Sequence, residues 1–159
     1  GSRQLFADAG RRAAVAPGEL SDADIDALRT QVLTLLQDKA SLRQAIAPFL
    51  SEAKYEDYEP QGDELTADEI REALASGALL RRDPASRCLY TLRDGQPDAL
   101  FINGQEIDFP PALAGFVKLL ADHRRLEAAA LSAWTGHEEA MEWLAEQLAL
   151  GYWFLDSAE

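Results

Sequence analysis

The sequence predicts an α+β fold: an N-terminal helical segment followed by a winged-helix-like domain with short antiparallel strands. Three observations predict it. Apolar residues recur at a 3.6-residue spacing from Ile25 to Leu50. An acidic, Pro/Gly-punctuated stretch follows. Beyond it come a helix, short strands, helices that end in glycine and an aromatic strand, which is the order of a winged helix-turn-helix.

The elements can be justified in order. Gly1-Ser2 reads as a cloning scar, and residues 3 to 20, with Ala16-Pro17-Gly18, read as an extended entry segment. Ser21 with Asp24 three residues on is a capping-box start, and Asp22 and Asp26 favour the positive helix end. The first helix carries Ile25, Leu28, Val32, Leu35 and Leu36 on one face. A second carries Leu42, Ile46, Phe49 and Leu50, and Pro48 predicts a kink or a break there. Two short amphipathic helices need a covering surface. Periodicity alone leaves open whether that is the rest of the chain, a missing domain or a second copy.

From Glu52 to Glu64 the chain turns acidic, and Tyr55 and Tyr58 are read as anchors of this linker on a neighbouring surface. Thr66 to Glu69 is a second capping box, whose helix bears Ile70, Ala73 and Leu74 and ends at Gly77. Strands are predicted at 78–82, 87–93, 99–102 and 105–107. Asn103-Gly104 supplies the two positive-φ positions of a tight hairpin. Pro110 and Pro111 open a helix with Leu113, Phe116, Val117 and Leu120, and a short helix is expected over 126–131. Thr135 to Glu138 reads as a third capping box, before a helix with Met141, Leu144, Ala145 and Leu148 inward. Gly151 ends it, and Tyr152-Trp153-Phe154-Leu155 is a final buried strand. The divisions are 1–18 (scar and entry), 19–55 (helical), 56–65 (acidic linker) and 66–159 (winged-helix-like).

Composition excludes several classes of function. The chain has 159 residues, 47% of them apolar, and no run of about 18 apolar residues, so no membrane helix is expected. One cysteine, Cys88, cannot form an internal disulfide and reads as a small hydrophobe in a strand. Little cysteine and no secretory signal point to the cytoplasm. A net charge of −13 opposes binding to phosphates, and the would-be reading helix carries Glu138, Glu139, Glu142 and Glu146 with no Lys or Arg between 137 and 150. Arg81-Arg82 with Arg87 and Arg93 is the best local basic patch, flanked by Asp83 and Asp94, and reads as a solvated strand face. No nucleophile elbow, glycine-rich nucleotide loop or P-loop is present. His137 and Glu139 would supply two ligands of an iron triad, but i and i+2 point about 200° apart on a helix. His123 reads as a helix C-terminal cap. No catalytic, cofactor-binding or metal-ligating residue is therefore assigned.

From Gly18 onward the chain resembles the C-terminal half of the cupin-like JmjC ribosomal oxygenases, notably the bacterial ribosomal protein arginine hydroxylases. The resemblance rests on Thr66-Ala67-Asp68-Glu69-Ile70 with Ala73-Leu74 and Gly77, on Asn103-Gly104-Gln105-Glu106-Ile107-Asp108, and on Leu150-Gly151-Tyr152-Trp153-Phe154. Pro17-Gly18-Glu19-Leu20 looks like the junction after the family's catalytic domain. The resemblance implies a missing N-terminal domain holding Fe(II) and 2-oxoglutarate, followed here by a dimerisation segment and a winged helix. It makes Leu28, Val32, Leu35, Leu36, Leu42, Ile46, Phe49 and Leu50 the expected homodimer interface. It also suggests a basic ribosomal protein as partner; the charge and the lack of a long apolar run argue against nucleic acid and membrane. The chain alone is then not an enzyme. The alternative is a free-standing winged-helix adaptor between proteins, and after it a DNA-binding transcription regulator.

Overall fold

The computed structural model describes residues 18–53 and 57–157. Gly1-Ser2, most of the expected entry segment and Tyr55 lie outside them. No helix among the described residues is long and apolar enough to cross a membrane.

Helix α1 (Asp22–Gln37) starts as expected. The Ser21 hydroxyl accepts from the Asp24 N–H at 3.1 Å, and the Asp24 carboxylate accepts from the Ser21 N–H at 3.2 Å. Asp38 ends α1 and caps α2 (Lys39–Leu50) by accepting from the Ala40 N–H. Pro48 does not divide α2. It sits in the last turn, where only one intrahelical donor is lost, and the helix runs on to Leu50. Thr66 and Glu69 form the reciprocal cap of α3 (Ala67–Ala75). At its other end Ala78 N–H reaches Ala73 C=O and Gly77 N–H reaches Leu74 C=O, with Gly77 at φ 93°. That left-handed closure needs a glycine.

Two three-stranded antiparallel sheets follow. Strand β1 (Leu79–Arg82) lies between β5 (Arg125–Leu126) and β6 (Trp153–Asp156), in order β5-β1-β6. Strands β2 (Cys88–Arg93), β3 (Gln96–Ile102) and β4 (Gln105–Ile107) form a meander. Asn103 (φ 51°) and Gly104 (φ 82°) make the expected turn between β3 and β4. Asp94 (φ 52°) and Gly95 (φ 79°) make an equivalent one between β2 and β3. Residues 125–126 are a strand, not the start of a helix, because they pair with Leu80 and Arg81. A 3₁₀ turn over Ala128–Leu131 leads into the short α5 (Ser132–Thr135).

Helix α4 (Ala114–Asp122) follows a proline-led 3₁₀ turn, Pro111–Leu113. Helix α6 (Glu138–Ala149) is capped by His137, whose ring Nδ1 accepts from the Ala140 N–H at 3.3 Å, and not by Thr135. The Thr135 carbonyl and the Glu138 carboxylate are both taken by Arg71 of α3, at 2.7 and 2.6 Å. Of the local box, Arg71 thus takes the Glu138 carboxylate, while the Thr135 hydroxyl donates back to the Ser132 carbonyl at 3.4 Å. The core gathers Ile70 and Leu74 of α3, Leu80 of β1, Leu100 and Ile102 of β3, Phe116 and Leu120 of α4, Met141, Leu144 and Leu148 of α6, and Trp153. Phe116 packs between Trp134, tilted at 5.3 Å, and Trp143, edge-on at 6.2 Å between centroids.

The acidic stretch is held down. Tyr58 donates to the Asp83 carboxylate at 2.6 Å, and Asp63 N–H donates to the Leu148 carbonyl at 3.1 Å. Backbone crosses backbone there: a Cβ at Gly62 would overlap the Ala149 carbonyl, and one at Gly151 would strike Gln61 and Pro60.

Candidate functional site

The helical segment turns its apolar side outward. No residue of α1 is buried. Leu28, Val32, Leu36, Ile46, Phe49 and Leu50 are all exposed, up to 60% for Leu36 and Leu50. These are six of the eight positions that the periodicity selects. The other two, Leu35 and Leu42, are half-buried. Leu35 lines a groove of about 1050 Å³ between the two helices and the β2–β3 hairpin, where Phe101 and Pro48 also contribute. Ile25, Leu33 and Leu20 extend the exposed set at 47, 48 and 67%. Leu33 falls one position outside the 3.6-residue stripe, so periodicity passes over it.

Small residues and polar contacts fix this surface to the sheet. Ala45 and Ala47 of α2 are buried. The Arg43 guanidinium donates to the Leu92 carbonyl at 2.9 Å. Fully buried Ser51 accepts from the Gly104 N–H and donates to the Pro48 carbonyl, each at 3.1 Å. The Asn103-Gly104 turn thereby serves as the seat of the α2 C-terminus. Ser41 and the Ala40 N–H hold the Asp38 carboxyl below its usual range at the hinge between the helices.

A second surface is polar. Helix α6 buries Ala140, Met141, Trp143, Leu144, Gln147 and Leu148, and shows Glu138, Glu139, Glu142 and Glu146 to solvent. Glu138 is engaged by Arg71, so the free acidic face is Glu139, Glu142 and Glu146, continued by Asp108 beside Trp143. Such a face repels phosphates and attracts basic proteins.

The ligand candidates are occupied elsewhere. His137 caps α6, and His123 caps α4 with its ring Nδ1 3.0 Å from the Leu119 carbonyl oxygen. Cys88 packs against the core, and burial pushes its thiol up to about 11. Among the described residues no three His, Cys, Asp or Glu side chains converge as a metal site would require.

A family model, the ROXA-like winged helix, matches residues 34–154. The crystal structure of the Escherichia coli ribosomal oxygenase YcfD is similar, with a TM-score of 0.61 and 27% identity over 97% of this chain and 42% of that one. The same E. coli protein in complex with cobalt and succinic acid gives 0.62 and 26%, over 98% and 42%. A further structure of it gives 0.65 and 25%, over 97% and 41%. The chain spans about two fifths of the length of these relatives. No curated protein sequence matches it significantly.

Proposed function

This chain belongs to the ROXA-like winged-helix family, and from that premise we propose that it is the non-catalytic C-terminal region of an Fe(II)/2-oxoglutarate-dependent ribosomal protein hydroxylase, which it holds as a homodimer. The described residues do not fit iron: both histidines cap helices, and no ligand triad forms around them. No chemical step is assigned to this chain.

The observation that carries the reading is the outward apolar face of α1 and α2. Burying a leucine-sized side chain is worth roughly 1.5–3 kcal/mol, so six such groups favour a covered state. A two-fold pairing is the commonest way for one patch to cover itself. The acidic α6 face would serve a basic ribosomal protein, and it supports protein partners over DNA for the winged helix. The same face is what a free-standing adaptor would use, so the apolar seam is what separates the two readings.

Sedimentation velocity at micromolar concentration tests the seam. The parent chain is expected to run as a dimer. Leu36→Asp and Phe49→Asp place charges at positions more than half exposed, so they should yield monomers without disturbing the core. Unchanged tryptophan fluorescence from Trp143 and Trp153 would show that the winged helix stays folded. A monomeric parent chain would overturn the homodimer.

A further inference from the structure

In a chain of net charge −13, five of the fifteen Lys and Arg residues converge on one concavity. Arg81, Arg82, Arg87, Arg124 and Arg125 line a pocket of about 560 Å³ where the end of β1 meets β5 and the start of β2. The register Arg81↔Arg125 brings together two arginine pairs more than forty residues apart. We propose that this pocket is a docking site for an acidic peptide segment of a protein partner.

The arginines divide by what they already hold. Arg81 is paired with Asp156 and lies over the Phe154 ring at 5.6 Å, and Arg82 donates to the Ala121 carbonyl at 2.6 Å. These two are fixed. Arg87, Arg124 and Arg125 are exposed and make no ion pair among the described residues. Asp83, the one acid in the lining among the described residues, offers them little. Its carboxylate accepts from the Tyr58 and Ser86 hydroxyls, each at 2.6 Å, and from the Ala85 N–H. Three guanidiniums therefore line a concavity without a counter-ion among the described residues, and a guanidinium fork matches a carboxylate in two parallel hydrogen bonds.

The rest of the lining selects the class of partner. Pro84 and Leu89 give the pocket an apolar wall, suited to side chains beside the carboxylates. Among the described residues no aromatic ring lines it, so they offer no platform for stacking unpaired bases. An extended polyanion would also have to run on across an acidic protein, at a cost that grows with every phosphate. A short segment of two or three carboxylates meets only the patch.

The test is an NMR titration of the arginine side-chain Nε–Hε resonances with the peptide Glu-Leu-Glu-Leu-Glu, its Lys-Leu-Lys-Leu-Lys counterpart, and a five-nucleotide single-stranded RNA. The acidic peptide should give saturable shifts at Arg87, Arg124 and Arg125, weakening with salt, while the basic peptide gives none. The combined Arg87→Gln, Arg124→Gln, Arg125→Gln variant should bind about tenfold or more weakly. Replacing the same three by Lys should restore part of the affinity, because charge returns without the fork. All three sit on the surface, so the fold should survive, and unchanged backbone amide spectra would check this. Absence of saturable shifts, equal binding by the triple-Gln variant, or tighter binding of the RNA would each overturn the proposal.

Discussion

Helices α1 and α6 are both amphipathic, and they end in opposite situations. Helix α6 buries six residues against α3, α4 and β6, while α1 buries none. An apolar stripe records that a helix face will be covered. It does not record by what. In α6 the cover is intramolecular and the face is part of a continuous core. In α1 the stripe looks outward, and only the proposed homodimer would cover a face of similar pattern.

The largest expected effect separates the two regions directly. Phe116 is fully buried between Trp134 and Trp143, whereas Leu36 is 60% exposed. Phe116→Ala should cost about 3–5 kcal/mol and, in a small domain, leave a substantial unfolded fraction. Leu36→Ala should change the stability of the isolated monomer by less than about 0.5 kcal/mol. Urea denaturation of both variants in the monomeric Phe49→Asp background reads the contrast. A Leu36→Ala cost near that of Phe116→Ala would mean that α1 belongs to the core after all.

A second, smaller effect concerns what joins the regions. Gly62 passes so close to the end of α6 that a Cβ would overlap the Ala149 carbonyl. Backbone cannot yield there as a side-chain tip would. Gly62→Ala should therefore destabilise by about 1–3 kcal/mol, the usual range for overpacking. Gly136, with nothing within 4 Å of its would-be Cβ and an ordinary φ of −83°, is the control for the added methyl. Denaturant midpoints for Gly62→Ala and Gly136→Ala measure the difference. Equal midpoints would indicate that the acidic stretch lifts off α6 at little cost.

What was legible in the sequence follows the range of the interactions involved. The caps at Ser21 and Thr66, the Asn103-Gly104 turn and the glycine closures at Gly77 and Gly151 are settled within a few residues, and each reads correctly. Asp94-Gly95 carries the same turn chemistry between strands 87–93 and 99–102, a signal the strand pattern alone does not use. The third capping box does not form for a different reason: Arg71, more than sixty residues upstream, holds the Glu138 carboxylate, and the Thr135 hydroxyl turns to Ser132. Strand β5 is two residues long and exists only by pairing with β1, so nothing local announces it. The candidate surface was legible as a stripe. The inward turn of Leu35 and Leu42 was not, because it depends on how α2 seats on the hairpin. Arg81, Arg82 and Arg87 were visible as a patch. Their union with Arg124 and Arg125 needed the sheet, and Arg93, grouped with them by proximity in sequence, instead faces Asp98 at 3.7 Å.

The smallest effect is a pH dependence at the tie between linker and domain. Tyr58 donates to Asp83, and this bond, with a lesser contribution from burial, holds the phenol up to about 12 against an ordinary value of about 10. The raised value means that the fold prefers the protonated phenol. Its contribution is fully present below about pH 10 and is lost as pH rises towards about 12. Tyr58→Phe removes the donor at every pH, leaving Asp83 its contacts with Ser86 and the Ala85 N–H. At pH 8 the variant should be less stable by about 1 kcal/mol, the net worth of one hydrogen bond. As pH rises the parent should lose that advantage, and the two denaturant midpoints should converge. Tyr90 and Tyr152 are also raised, but they titrate in both proteins and cancel in the difference. A gap that stays constant from pH 8 to 12 would mean that the phenol titrates without reference to Asp83. A gap of zero at pH 8 would mean that the linker is held by the Gly62 crossing alone.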